Sequence, residues 1–279
     1  MGLLDKIFDK KNCAICGGEI GLLGNRKLED GNLCKHCAKK LSPWFDERRH
    51  STVEQIKRQL AYREENRSKA AAFHSSRSFG RDSQKLYVDE AARRFTVNRG
   101  TDFAADNPDI LDFSQAVGCD LNISERRHEQ YHTVDGKSVS YNPPRYAYSY
   151  DFRVTVRVDH PYFDDMHFDL NSHSVDTGEQ RMTGTANTGW SFSSAIAGVF
   201  GGQSGVNEYN ELVEMGNELK AMIDSWKNTA APAAAGFAAP GATASAQVQA
   251  APQNAFWICP NCGSQNAGKF CTGCGAKKE

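Results

Sequence analysis

Eight of the nine cysteines stand in four C-x-x-C pairs, Cys13/Cys16, Cys34/Cys37, Cys259/Cys262 and Cys271/Cys274, and Cys119 stands apart. Two residues between cysteines let a tight turn aim both sulfurs at one ion. Two such pairs then supply the four thiolates of a closed, tetrahedral Zn(II) site. In the first quartet the pairs are seventeen residues apart, and Gly17 follows the second ligand, where a positive φ is needed. Leu28 and Leu33 flank an Asp30-Gly31 turn signal between the pairs, which predicts a hairpin. The second pair runs into Ala38, Lys39, Lys40 and Leu41, which places it on the first turn of a helix, where unpaired amides favour thiolates.

The second quartet is tighter: eight residues separate its pairs, both pairs are followed by glycine (Gly263 and Gly275), and only a minimal hairpin fits. The pattern reads as a short zinc ribbon. A segment of about 24 residues cannot bury enough apolar surface to fold alone. Metal ligation, with an apparent ~10–16 kcal/mol in zinc-finger peptides, offsets that deficit. The expected cofactor is therefore zinc, two ions, both structural, because four thiolates leave no position for water or substrate. His36, inside the second pair, reads as a surface histidine beside a complete ligand set.

Other reactive side chains carry less. Cys119 follows Gly118 within a strand-like run and reads as a small buried hydrophobe rather than a nucleophile. His160, His167 and His173 lie near Asp164, Asp165 and Asp169, but His167 and Asp169 alternate with Met166, Phe168 and Leu170, the pattern of the wet face of a strand. Gly201, Gly202 and Gly205 lack the lysine of a phosphate loop, and neither a nucleophile elbow nor a dinucleotide fingerprint is found. Nothing points to an enzyme.

The elements that must position these residues follow from periodicity. Leu3, Leu4, Ile7 and Phe8 form one face of a short helix. Ser51 and Glu54 read as a capping box opening a helix with Val53, Ile56 and Leu60 as a thin apolar stripe, and the charged run 62–69 reads as a mobile connection. From about 79 the period becomes two. Leu86/Val88 and Phe95/Val97 predict a hairpin turning at 90–93, and 110–123 supplies further strands with a bulge at Gly118. Tyr148, Tyr150, Phe152, Val154, Val156 and Val158 alternate strictly with polar residues, and Met166, Phe168 and Leu170 continue the theme. One buried and one wet face make the sheet antiparallel. Residues 189–206 read as a loop. Over 207–226 the period is helical, with Leu212, Met215, Leu219, Met222, Ile223 and Trp226 on one stripe.

Composition divides the chain. Residues 1–77 carry 16 basic and 10 acidic side chains (+6), residues 78–228 carry 14 and 23 (−9), and residues 229–279 carry 3 and 1 (+2). Residues 229–253 hold twelve alanines and three prolines with no charge, a low-complexity tether. The expected fold is α+β and multi-domain: an N-terminal helix and four-cysteine zinc finger over 1–50, a helical connector over 51–78, an antiparallel β domain with a C-terminal helix over 79–228, a flexible linker over 229–255 and a zinc ribbon over 256–279. With no run of 18 apolar residues, no membrane-spanning helix is expected, and MGLLDKIFDKK lacks the features of a secretory signal. Cysteines paired at metal-ligand spacing suit a reducing compartment, so the expected location is the cytoplasm.

The order of parts resembles a group of uncharacterised bacterial proteins that join a four-cysteine N-terminal finger to a compact β domain and often end in a zinc ribbon. The resemblance rests on MGLLDKIF and on CAICGGEIGLL and LEDGNLCKHCAKKLSPWF. It implies that Cys13, Cys16, Cys34 and Cys37 are ligands of a treble-clef-like finger. The middle, with KLYVDEAARRFTV and ILDFSQAVGCDL, is similar to a bacterial pleckstrin-homology-like (PH-like) domain. Phosphoinositide-binding members of that superfold use a basic strand-loop cluster, where this chain offers Arg93 and Arg94 in an acidic unit. The expected function is a non-enzymatic adapter that binds an unidentified protein partner. Nucleic-acid binding through Lys39, Lys40, Arg48, Arg49, Lys57 and Arg58 is the alternative, opposed by the acidic middle and a near-neutral net charge of −1. The 1–10 stripe with Lys6 and Lys10 suits either an anionic membrane surface or packing against the finger or a second copy.

Overall fold

The computed structural model describes residues 11–21, 23–81, 84–182 and 203–228, with 257–261, 264–266 and 278 near the C-terminus. The expected stripe of Leu3, Leu4, Ile7 and Phe8, residues 189–202 of the expected 189–206 loop, the alanine-rich tether, and Cys262, Cys271 and Cys274 lie outside the described residues, while 203–206 are helical rather than loop.

Four short strands build the finger: β1 (Lys11–Asn12) pairs with β2 (Glu19–Ile20), and β3 (Asn25–Lys27) pairs with β4 (Asn32–Cys34). A one-turn helix α1 (Lys35–Ala38) follows. Leu28 and Leu33 are buried beneath the expected hairpin, with Ile20 and Leu41 beside them. The next helix, α2 (Val53–Ala71), closes this small core with Ile56, which has no exposed surface. Its capping box lies one residue later than the sequence pattern suggests. Ser51 spends its hydroxyl on the Glu47 carbonyl, so Thr52 and Gln55 cap the helix reciprocally. The finger also fastens this helix end. Asp30 accepts from the Val53 N–H at 2.7 Å, and Gly31 packs so closely that a Cβ there would meet the Val53 side chain at 2.7 Å.

The charged run 62–69 is not a loose connection: α2 continues through it and is held on one side. Arg63 reaches Asp109, and Asn66, buried, donates to Asn107 and to the Pro108 carbonyl while accepting from the Ile110 N–H. Further on, Ala70 and Phe73 pack with Tyr87, Phe103 and Ile110.

Beyond α2 the described residues form two four-stranded antiparallel sheets and two small hairpins. The first has the order β5 (Arg77–Phe79), β6 (Lys85–Asp89), β7 (Arg94–Asn98), then, after the short α3 (Phe103–Asp106), β8 (Leu111–Asp112). The β6–β7 hairpin is the one predicted from alternation, with Arg93 taking the positive φ at its turn. The second sheet is built on β12 (Tyr146–Val158). One edge pairs with β9 (Ala116–Glu129) along its whole length, and the other takes β13 (Asp165–Asp169) and then β14 (Val175–Gly178). Between β9 and β12 a small hairpin, β10 (Tyr131–Val134) and β11 (Lys137–Ser140), carries the exposed Tyr131, Val134 and Val139. The register of β9 against β12 shifts at Arg157 and Val158, opposite Gly118, and the Arg157 guanidinium occupies the space a Cβ at Gly118 would need.

Inward residues of both sheets, among them Leu86, Phe95, Phe152, Val154 and Met166, form one core. Helix α4 (Gln203–Asn228) lies across it, beginning four residues before the apolar periodicity does. Leu212, Leu219 and Ile223 are fully buried, and Gly216 lets the helix approach Leu121, which a Cβ would meet at 2.5 Å. Trp226 ends the stripe, 6% exposed, stacked on Phe113 at a 3.9 Å ring separation. The acidic flank of α4 meets the first sheet through Arg81, paired with Glu208 and Glu211, and Arg77, paired with Glu218.

Two substitutions test this packing. Trp226→Ala should cost about 3–5 kcal/mol in chemical denaturation, the range for a buried aromatic. An unchanged midpoint would mean that α4 does not close the core. Asp109→Ala should cost a similar ~3–5 kcal/mol, because it leaves the Arg63 guanidinium buried without its charge partner.

Candidate metal centre

The knuckle is built by backbone geometry. The Cys13 N–H donates to the Gly18 carbonyl at 2.9 Å and the Gly17 N–H to the Cys13 carbonyl at 2.8 Å. Gly17 adopts the φ of +71° that the turn requires. The second ligand pair is set by the β4–α1 junction. Cys34 is the N-cap of α1, and its sulfur accepts the Cys37 N–H at 3.3 Å. A ligand thiolate thus serves where a serine or aspartate ordinarily caps a helix.

These two devices bring Cys13, Cys16, Cys34 and Cys37 together, with all four Sγ atoms within 4.8 Å of one another. Cys16 and Cys34 Sγ are 3.8 Å apart. Four sulfurs at about 2.3 Å from a zinc ion have edges of about 3.8 Å, so the donor set fits this metal. Cys13 and Cys37 are buried, Cys34 is half-buried and Cys16 faces solvent.

The electrostatics suit a cation at the centre. Burial pushes the Cys13 thiol up, but the N–H groups of Cys16, Cys34 and Ile15 outweigh it and bring it down to about 6. Cys37 moves the other way, driven up by burial and then by its contacts with the Cys34, Cys16 and Cys13 sulfurs. Neighbouring thiols cannot all ionise unaided, since each negative charge disfavours the next. A bound divalent cation removes that conflict and, with four protein ligands, leaves no open coordination position. The centre can stabilise a fold; it offers no site for an activated water.

The remaining candidates separate clearly. His36 is exposed and outside the cluster, as the sequence suggests. Cys119 is buried among the β-sheet core residues, and burial, then Asp120 and Asp224, push its thiol up to about 12. His167 and Asp169 lie on the outward face of β13, where Asp169 pairs with Arg153. His160 is buried against Tyr62, Tyr162 and Phe163, away from the other two histidines' solvent-facing positions. Among the described residues no other group of three or more potential metal ligands converges. Of the second quartet only Cys259 is described, buried and next to the strands β15 (Trp257–Ile258) and β16 (Gln265–Asn266).

Sequence reasoning missed the residue that ties the finger to the sheets. Asp109, with no exposed surface, accepts from Ser42 at 2.8 Å, from Tyr62 at 3.1 Å and from Arg63 at 2.8 Å. Burial and the Asp109 charge raise the Tyr62 phenol well above its ordinary value, so it remains a donor. These donors stand 67, 47 and 46 positions away, and no local pattern marks such a set. Around it, Trp44 meets His167 edge-on and Phe45 meets Tyr162.

Residues 11–59 match a family described as a domain of unknown function, DUF4428. The match takes in the finger and the first turns of α2, ending just beyond Ile56. No curated protein and no solved structure matches the chain.

Cys13→Ser should lower the zinc content of the purified protein by one ion per chain, measured by elemental analysis after purification without chelator. An unchanged content would place the metal somewhere other than between these four sulfurs.

Proposed function

We propose that the chain is a non-enzymatic zinc-binding adapter that recruits a protein partner. The observation that carries this reading is a closed four-thiol centre in a finger fixed to a β unit through a buried ionic contact. Such a centre shapes a surface and performs no turnover. The knuckle, hairpin and ligand-bearing helix support reading the finger as a treble clef. Two antiparallel sheets closed by a C-terminal helix support reading 79–228 as PH-like.

A second structural zinc ion belongs to the proposal, held by Cys259, Cys262, Cys271 and Cys274. Its support is a repeated backbone pattern. The Cys259 N–H donates to the Ser264 carbonyl five residues on, as Cys13 donates to Gly18. Ile258 pairs with Gln265 and Trp257 with Asn266, the same offsets at which Asn12 pairs with Glu19 and Lys11 with Ile20. The described parts of both segments thus share one hairpin register around their first cysteine. Tethered by the 229–255 linker, the C-terminal ribbon adds a second contact, whose effective concentration strengthens weak docking. Among the described residues no helix is long and apolar enough to cross a membrane, and membrane contact is proposed as peripheral, through residues 1–10.

Affinity capture of the zinc-loaded full chain, with and without nuclease, tests the adapter reading. The expected result is a discrete protein partner, retained after nuclease and lost when Cys13→Ser disrupts the finger. Recovery of nucleic acid alone, with all associated protein lost on nuclease treatment, would instead support nucleic-acid binding.

A further inference from the structure

Beside the metal centre, at the seam where the finger meets the β unit, lies a groove of about 390 Å3. Arg26, Lys35, Lys39 and Arg48 surround it, and no acidic residue lines it. Its apolar lining is the buried Leu41 and the half-buried Ala38 and Phe45. Elsewhere arginines are mostly paired, as Arg77, Arg81, Arg94, Arg153 and Arg181 are with carboxylates on the same unit. Among the described residues the four groove cations form no ion pair. Arg48 instead donates to the Lys27 carbonyl at 2.8 Å, and Arg26 to the Asn25 carbonyl. Burial, then the charges of Arg26 and Arg49, hold the Arg48 guanidinium below its ordinary value, a repulsion that a bound anion relieves.

We infer that this groove docks a short acidic peptide segment of a protein partner, one that sets carboxylates against the four cations and an apolar side chain against Leu41 and Phe45. The inference rests on the adapter reading and names its partner's chemistry. Three features favour a peptide over an extended polyanion. The groove is small, with room for a few side chains. Its lining sets Ala38, Leu41 and Phe45 among the cations, a mixture that carboxylates interleaved with leucine or phenylalanine match and a phosphate backbone does not. The adjoining 78–228 unit carries a net −9, so a long nucleic acid leaving the groove would run along like charge. The position also couples binding to the seam. Ser42, which lines the groove, bonds Asp109, and Phe45 rests on Tyr162, so two lining residues are also seam contacts.

Fluorescence anisotropy with the zinc-loaded full chain tests this. The probe is a fluorescein-labelled peptide of alternating glutamate, leucine and serine, and a glutamine-for-glutamate version is the control. A labelled oligothymidylate and phosphatidylserine vesicles are the competing anions. The groove variant is Lys35→Gln with Lys39→Gln; both side chains are exposed, so the fold survives. Expected are binding of the acidic peptide, at least ~10-fold weaker binding of the control, and a further loss of about tenfold in the variant. Equal binding of the acidic peptide by parent and variant overturns the inference. So does oligothymidylate or vesicle binding that depends on Lys35 and Lys39 while the peptide does not bind. Partner capture that persists in the groove variant would leave the adapter reading standing and place its docking surface elsewhere. Groove-dependent peptide binding without any captured partner would do the reverse.

Discussion

The Asp109 carboxylate has no contact with solvent and receives the Ser42 hydroxyl, the Tyr62 phenol and the Arg63 guanidinium, while its own backbone carbonyl accepts from Thr96. A charge in that position is tolerable only when paired and hydrogen-bonded; unpaired, it would cost several kcal/mol. The donors come from three places: the segment after the finger's helix, helix α2 with the adjacent Tyr62 and Arg63, and strand β7. Satisfying the carboxylate and the backbone carbonyl of this one residue therefore requires the finger, the helix and the first sheet to sit in a single arrangement. The aromatic contacts nearby, Trp44 with His167 and Phe45, Tyr62 and His160 with Tyr162, fill the seam once that arrangement exists.

Metal binding stands upstream of this contact. Residues 11–50 bury only a handful of apolar side chains, too few to hold a finger without ligation. With the four sulfurs gathered, the 28–31 turn is fixed, and Asp30 and Gly31 then position the first turn of α2. Ile56 plugs the finger core, and one to three turns later the same helix presents Tyr62, Arg63 and Asn66 to the 107–110 segment. A metal held by the four cysteines would thus orient, through one helix, residues on the β unit that it never touches. The DUF4428 match, from 11 to 59, spans the four cysteines, the 28–31 turn and Ile56.

Much of this was legible in the sequence where the physics is local. C-x-x-C spacing with Gly17 marks a knuckle because two sulfurs and a positive φ must coincide within five residues. The alternation of Phe152, Val154 and Val156 marks a half-buried strand because successive side chains face opposite ways. The helical stripe ending at Trp226 is equally direct. What was not legible is long-range. The run 62–69 looks like a solvated connection because only its charges are visible, and the Asp109 partner of Arg63 lies 46 residues on. No local pattern marks His160 as buried, because the Tyr62 ring that meets it comes from another element. The capping box moved one residue because Ser51 found a competing acceptor in Glu47.

The central claim is that the metal centre positions the β unit's 107–110 segment through α2. Hydrogen exchange on the full chain, compared with and without a zinc chelator, tests it most directly. The amide of Ile110 donates to the Asn66 side chain, so its protection depends on α2 being docked. On chelation, exchange should rise both across 11–50 and at Ile110, while the β12 amides paired with β9 keep their protection. Faster exchange confined to 11–50, with Ile110 unchanged, would show that the β unit holds α2 without help from the finger and would contradict the account.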